Sequence, residues 1–155
     1  MNATQELDTA GRLAREVEEI AKIEAELDSN PEAQRSLADL RVRLIDLQPT
    51  VRLSVAAELL EISLPTIRAW MEDGPLREAG DSSPRRVSLE SVLEVRPVLR
   101  DLRSLGRDRN LLAAVTDRLE DERDLADPEL QRSLEEMRRG DLIDVTPSHR
   151  RESSS

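Results

Sequence analysis

The apolar positions of this chain fall mostly at helical spacing, broken at a few strongly marked places. Residues 5–27 place Leu13, Val17, Ile20 and Leu27 on one side, which predicts an amphipathic helix. Glu24 interrupts a strict heptad there, so a long coiled coil is not expected. Asp28-Ser29-Asn30-Pro31 predicts a break and a restart, with Asn30 as cap and Pro31 in the first turn. Residues 31–47 then carry Ala33, Leu37, Leu40, Leu44 and Leu47 as a regular helical seam. Residues 53–76 predict two short helices joined by a tight turn. Ser54 and Ser63 are expected as their caps, Ala56 and Ala57 as the close crossing, and Leu60, Ile62, Ile67 and Trp70 as the shared core. Pro65 fits a first turn, and Asp73-Gly74-Pro75 is expected to stop the second helix with Gly74 left-handed. Two extended pieces follow, near Leu76–Glu78 and Arg85–Val87, around a Gly-Asp-Ser-Ser-Pro turn. Ser88 predicts a new helix start, Arg96-Pro97 a kink or restart, and Gly106 an end. Residues 109–124 are expected to be helical, and Asp127-Pro128-Glu129 to cap a last helix carrying Leu130, Leu134 and Met137. The closing DLIDVTPSHRRESSS has a short apolar cluster and then a polar tail.

This pattern gives a mainly α fold in four parts. Residues 1–49 form an N-terminal helical arm, 50–105 a helical core with a small β-hairpin, 106–145 a C-terminal helical arm, and 146–155 a disordered tail. Residues 30–37 (NPEAQRSL) and 127–134 (DPELQRSL) echo each other. Two capped helices in an Arg- and Glu-rich chain would look alike by chance, and a duplicated packing helix would look the same.

Composition narrows the chemistry. The 155 residues include one Trp and no Phe or Tyr, so a core must be built from Leu, Val, Ile and Ala. There is no Cys, hence no disulfide, and no apolar run long enough to span a membrane. With no signal-peptide pattern, a cytoplasmic protein is expected. The net charge of −10 argues against loose coating of nucleic acid. The acidic excess lies in the two arms, and residues 50–100 are close to neutral. The single histidine, His149, sits in the tail, no metal-ligand spacing exists, and glycine is too sparse for a phosphate loop. The Glu120-Asp121-Glu122 run is expected as a solvated face. No enzyme, cofactor or metal is therefore expected.

The stretch SVAAELLEISLPTIRAWMEDGPL, followed by a hairpin with the basic pair Arg85-Arg86 and a helix start at Ser88, resembles the excisionase and MerR-like winged helix-turn-helix domains. The resemblance implies that the second helix enters a major groove and that the hairpin, or wing, touches phosphate. It carries Ser63, Thr66 and Arg68 to the outward face of that helix, Arg85 and Arg86 to the wing, and Arg52 and Arg77 to flanking phosphate contacts. Trp70 and Ile67 are expected to be buried. The chain departs from such domains at Leu64, at Glu61 where glycine is usual, and at Glu72 and Asp73, whose charge opposes phosphate. So few basic residues imply a homodimer or an array on repeated half-sites. The C-terminal arm resembles the toxin-binding tails of bacterial antitoxins, with Leu130, Leu134, Met137, Leu142 and Ile143 as partner contacts; packing on the chain's own core is the other reading. An antitoxin-like autorepressor binding double-stranded DNA and a cognate toxin is thus expected. Alternatives are an interaction module that uses the helix-turn-helix as a scaffold, or a recombination-directing excisionase.

Overall fold

The computed structural model describes residues 1–80, 83–126, 132–133 and 136–137. Among these the chain is mainly helical, with one two-stranded antiparallel sheet. No described helix is long and apolar enough to cross a membrane. The chain divides into two units, residues 1–116 and 117–155, with the division inside the last helix.

Helix α1 (Ala3–Glu26) begins at a reciprocal cap. Asn2 Oδ1 accepts from the Gln5 backbone N–H at 2.8 Å, and Gln5 Oε1 accepts from the Asn2 N–H at 3.0 Å. Its buried stripe runs Glu6, Ala10, Leu13, Ala14, Val17 and Ile20. Helix α2 (Pro31–Asp46) starts as expected, with Asn30 accepting from the Ala33 N–H at 3.1 Å and Pro31 in the first position. Glu24 ties the two helices together. Its carbonyl accepts from Gln34 at 3.0 Å, and its carboxylate receives the Arg41 guanidinium in a two-point pair.

Within residues 1–49 the two helices are buried to different degrees. α1 is built into the core through its buried stripe, and α2 contributes no buried residue. The regular seam of α2 is thus only half covered, and Leu40 and Leu47 remain exposed. Periodicity announced a face without saying whether anything covers it.

Strand β1 (Thr50–Arg52) pairs antiparallel with β2 (Arg86–Ser88), Val51 opposite Val87. Both valines are fully buried. The expected pieces near 76–78 and 85–87 do pair, through a bridge from Glu78 to Val87 and bonds from Ala79 N–H to the Arg86 carbonyl and from Ser88 N–H to the Arg77 carbonyl. β1 was not foreseen, because Gln48-Pro49-Thr50 carries a turn signature and three residues are too few for an alternating pattern to register.

Helices α3 (Leu53–Leu60) and α4 (Leu64–Asp73) follow, then α5 (Leu89–Ser104) and α6 (Leu111–Ala126). Ser54 does not cap α3. The helix starts at Leu53, two residues earlier than such a cap would place it; the cap position is Arg52, and no side chain bonds the first turn there. The strand β1 runs straight into the helix and fixes its entry. Ser88 caps α5 as expected, accepting from the Ser91 N–H at 3.2 Å. Pro97 does not restart the helix; α5 runs through it. A proline inside a helix costs about 3 kcal/mol. Val95, Val98, Leu99 and Leu102, all buried on the same helix, outweigh that cost.

The core joins α1, α3, α4, α5 and the strand pair. Its largest enclosed side chains include Leu60, Ile67, Leu76, Leu89, Leu99 and Leu102. Gly74 ends α4 as expected, but not in the left-handed region: its φ is −156°. It is glycine for lack of room. A Cβ there would lie 2.7 Å from Leu112 Cδ1 and 2.9 Å from the Trp70 carbonyl oxygen. The expected cap at 127–129, most of the second copy of the NPEAQRSL echo, and the tail with His149 lie outside the described residues.

Candidate nucleic-acid interface

The candidate surface is the outward side of α4, and its geometry begins in the three residues before it. Glu61 adopts a left-handed conformation (φ 55°, ψ 46°), the position where glycine is the easier residue. Arg103 of α5 holds this turn, donating to the Leu60 carbonyl at 2.9 Å and the Glu61 carbonyl at 2.8 Å. A cation at the last carbonyls of α3 satisfies acceptors that the helix itself leaves open. Ser63 then caps α4, its Oγ accepting from the Thr66 N–H at 3.2 Å. Ser63 Oγ and Thr66 Oγ1 also share a hydrogen bond at 2.7 Å.

Two faces of α4 separate cleanly. Ile67 is fully buried and Trp70 is 4% exposed, so both are structural, as expected. Pro65, Arg68, Ala69, Glu72 and Asp73 are exposed. Among the described residues Arg68 makes no ion pair or hydrogen bond, and it is the one guanidinium between residues 50 and 100 with no carboxylate partner.

The other expected contacts are placed differently. Arg85 is on the exposed hairpin, but its guanidinium meets the Glu78 carboxylate through two bonds of 3.0 Å. That hydrogen bonding holds Glu78 below the ordinary carboxylate range and raises Arg85 above its ordinary value. Arg77 pairs with Glu94 at 3.2 Å and Glu90 at 3.6 Å, both on α5. Arg86 turns inward: it donates to the Glu6 carboxylate at 2.9 Å, to Thr50 Oγ1 at 2.8 Å and to the Thr50 carbonyl at 3.1 Å. Arg52 donates its backbone N–H to Glu6 at 2.6 Å and its side chain to the Met1 carbonyl at 2.9 Å. Arg52 and Arg86 lie opposite each other across β1 and β2, so one carboxylate serves both. The basic residues at 52 and 86 therefore hold α1 onto the sheet and do not face outward.

Glu6 organises this corner, and the sequence reading missed it. It is 3% exposed. Burial is the largest single influence on its carboxyl and pushes the pKa up. The Arg52 N–H, the Arg86 hydrogen bond and the two nearby positive charges together outweigh burial, and the net shift is downward. The signal was present, since Glu6 falls in line with Ala10, Leu13 and Val17 on the buried stripe. Glu18 plays a parallel part, receiving Arg96 at 3.1 Å and Arg100 at 3.3 Å from α5.

Of the expected partner contacts in the C-terminal arm, Met137 is helical and exposed. Leu130, Leu134, Leu142 and Ile143 lie outside the described residues. Among the described residues no group of three or more acidic or histidine side chains is placed to hold a metal. Compared with protein-family models, with curated proteins and with solved structures, the chain matches none of them.

Proposed function

We propose that this protein is a sequence-specific DNA-binding regulator of the winged helix-turn-helix kind, working as a homodimer in an antitoxin-like autorepressor. One observation carries the reading: α4 offers an uncovered outer face bearing the unpaired Arg68, while its opposite face, Ile67 and Trp70, is locked into the core. A guanidinium on a rigid helix suits the paired acceptors of guanine in a major groove. Thr66 and Ser63, already fixed at the helix start, can meet phosphate oxygens there. Arg85 can reach a phosphate by exchanging out of its exposed pair with Glu78, which solvent already screens. Arg52 and Arg86 position the hairpin, and Arg77 steadies it against α5. Partner capture by the 106–145 arm rests on its sequence, an acidic segment suited to a basic protein such as a ribonuclease toxin.

The test is mobility shift of the protein's own promoter. Arg68→Ala combined with Arg85→Ala should abolish the shift with the circular dichroism spectrum unchanged. Retained binding would rule out groove docking by α4.

A second reading, an interaction module that keeps the helix-turn-helix as a scaffold, draws support from the engaged cations: Arg52, Arg77, Arg85 and Arg86 all have acidic partners. Salt dependence separates the two. Two copies that each offer Arg85 neutralise about two phosphates, so log K should fall against log salt with a slope of about −1.8. No measurable affinity for any genomic fragment at low salt would favour the scaffold.

A further inference from the structure

The four residues between the buried parts of α3 and α4 are held from outside. Glu61, in its left-handed conformation, donates its N–H back to the Glu58 carbonyl at 3.3 Å, and the Ile62 N–H reaches the Ala57 carbonyl at 3.1 Å. That return does not serve the Leu60 and Glu61 carbonyls. Arg103 donates to both, from Nη1 to Leu60 at 2.9 Å and from Nη2 to Glu61 at 2.8 Å. The base of this clamp is firm. Leu99 and Leu102, beside Arg103 on α5, are buried. The Gly106 and Arg107 N–H groups close the end of α5 on the Arg103 and Leu102 carbonyls, each at 2.9 Å. α4 needs such a hold at its start. Its buried anchors are Ile67 and Trp70, and residues 64–66 bury no side chain. Two anchors one turn apart fix the distance of a helix from its core and leave its N-terminal end free to swing. That end carries Ser63 and Thr66, and Arg68 stands within a turn of it.

We infer that Arg103 is a positioning residue for DNA recognition: by clamping the α3–α4 turn it sets the attitude at which α4 presents Arg68 to a base edge, and it makes no DNA contact of its own. The inference rests on the DNA-binding reading for its use. A guanidinium meets guanine through two acceptors in fixed geometry, so a small tilt of the helix loses the base contact. Phosphate contacts tolerate such a tilt, because a charge in water acts over several ångströms. Loosening the clamp therefore weakens binding to the proper sequence and spares binding to any other. Both terminal nitrogens of Arg103 are engaged with carbonyls, which leaves its charge beside the C-terminal end of α3, where a cation is favoured. The clamp also holds Glu61 in a backbone region that a side chain resists (φ 55°), so one residue of α5 maintains both the conformation of the turn and the direction of the helix after it.

The experiment compares the full chain with Arg103→Met, which keeps the aliphatic stem, and Arg103→Lys, which keeps a donor for one carbonyl. In the free proteins, amide exchange at Ile62, Thr66 and Ile67 should be about 10-fold faster in Arg103→Met, with residues 95–99 of α5 unchanged. At a temperature where circular dichroism shows every variant folded, Arg103→Met should bind the protein's own promoter about 10-fold more weakly. Its affinity for unrelated DNA and the salt slope should stay as in the wild type. Arg103→Lys should recover much of the loss, to about 3-fold. In an Arg68→Ala background the Arg103→Met loss should shrink to about 2-fold, because the contact that the clamp serves is gone. Unchanged exchange at the turn overturns the inference. So does an equal loss on both DNAs with the salt slope shallower by about 0.9 per copy, which would make Arg103 a direct phosphate contact. Losses from Arg68→Ala and Arg103→Met that simply add overturn it as well. A wild type that binds no DNA ends the functional reading and this inference together, whereas a wild type that binds beside an indifferent Arg103→Met ends the inference alone.

Discussion

Glu6→Gln is the most searching perturbation of this fold, because one carboxylate joins α1 to both strands. In the wild type it accepts from the Arg52 N–H at 2.6 Å and from the Arg86 guanidinium at 2.9 Å, in a site where Glu6 is 3% exposed. Glutamine keeps the shape but offers one acceptor and turns an N–H₂ group toward a donor. Removing one member of a fully buried ion pair costs about 3–5 kcal/mol. Arg86 keeps its two bonds to Thr50 and a quarter of its side-chain surface in water, so the pair is not fully buried and the expected loss falls below that range, at about 2 kcal/mol. Urea titration at neutral pH should show this as a lower midpoint with the slope unchanged.

The pH dependence gives an independent check. The folded-state pKa of Glu6 is depressed below its ordinary 4.5. A depressed carboxyl contributes stability that is complete above the unfolded value and fades as pH falls through the folded one. The gap between wild type and Glu6→Gln should therefore hold from neutrality down to about pH 5 and shrink below 4.5. A variant as stable as wild type at neutral pH, or a gap that persists undiminished into strong acid, would refute the assignment of Glu6 as the latch.

Two further outcomes follow from the backbone. Gly74→Ala should destabilise the protein by about 1–3 kcal/mol in a thermal melt, because the added methyl meets the backbone of Trp70 as well as Leu112. Glu61→Gly should instead stabilise it by about 0.5–1 kcal/mol, since the left-handed turn is held there by a residue that resists it and both bonds from Arg103 go to main-chain carbonyls that the substitution keeps.

What the sequence determined by itself is the set of local signals. The Asn30-Pro31 start, the Ser63 cap with Pro65 behind it, the Ser88 cap and the burial of Ile67 and Trp70 were all legible. Each depends on atoms within one or two helical turns, so neighbouring residues carry the whole cause. Tertiary structure alone decided where the guanidiniums point. Arg86 meets a carboxylate 80 positions away, and Arg103 closes a turn more than 40 positions before it. An arginine in a hairpin has the same local signature whether it faces a phosphate or a buried Glu6, and the choice rests on which distant helix docks beside it. The same holds for Pro97, carried through α5 because the surrounding core holds that helix on both sides of it. It holds for α2 as well, whose apolar seam is legible in the sequence while its half-covered state is set by how α1 packs beside it.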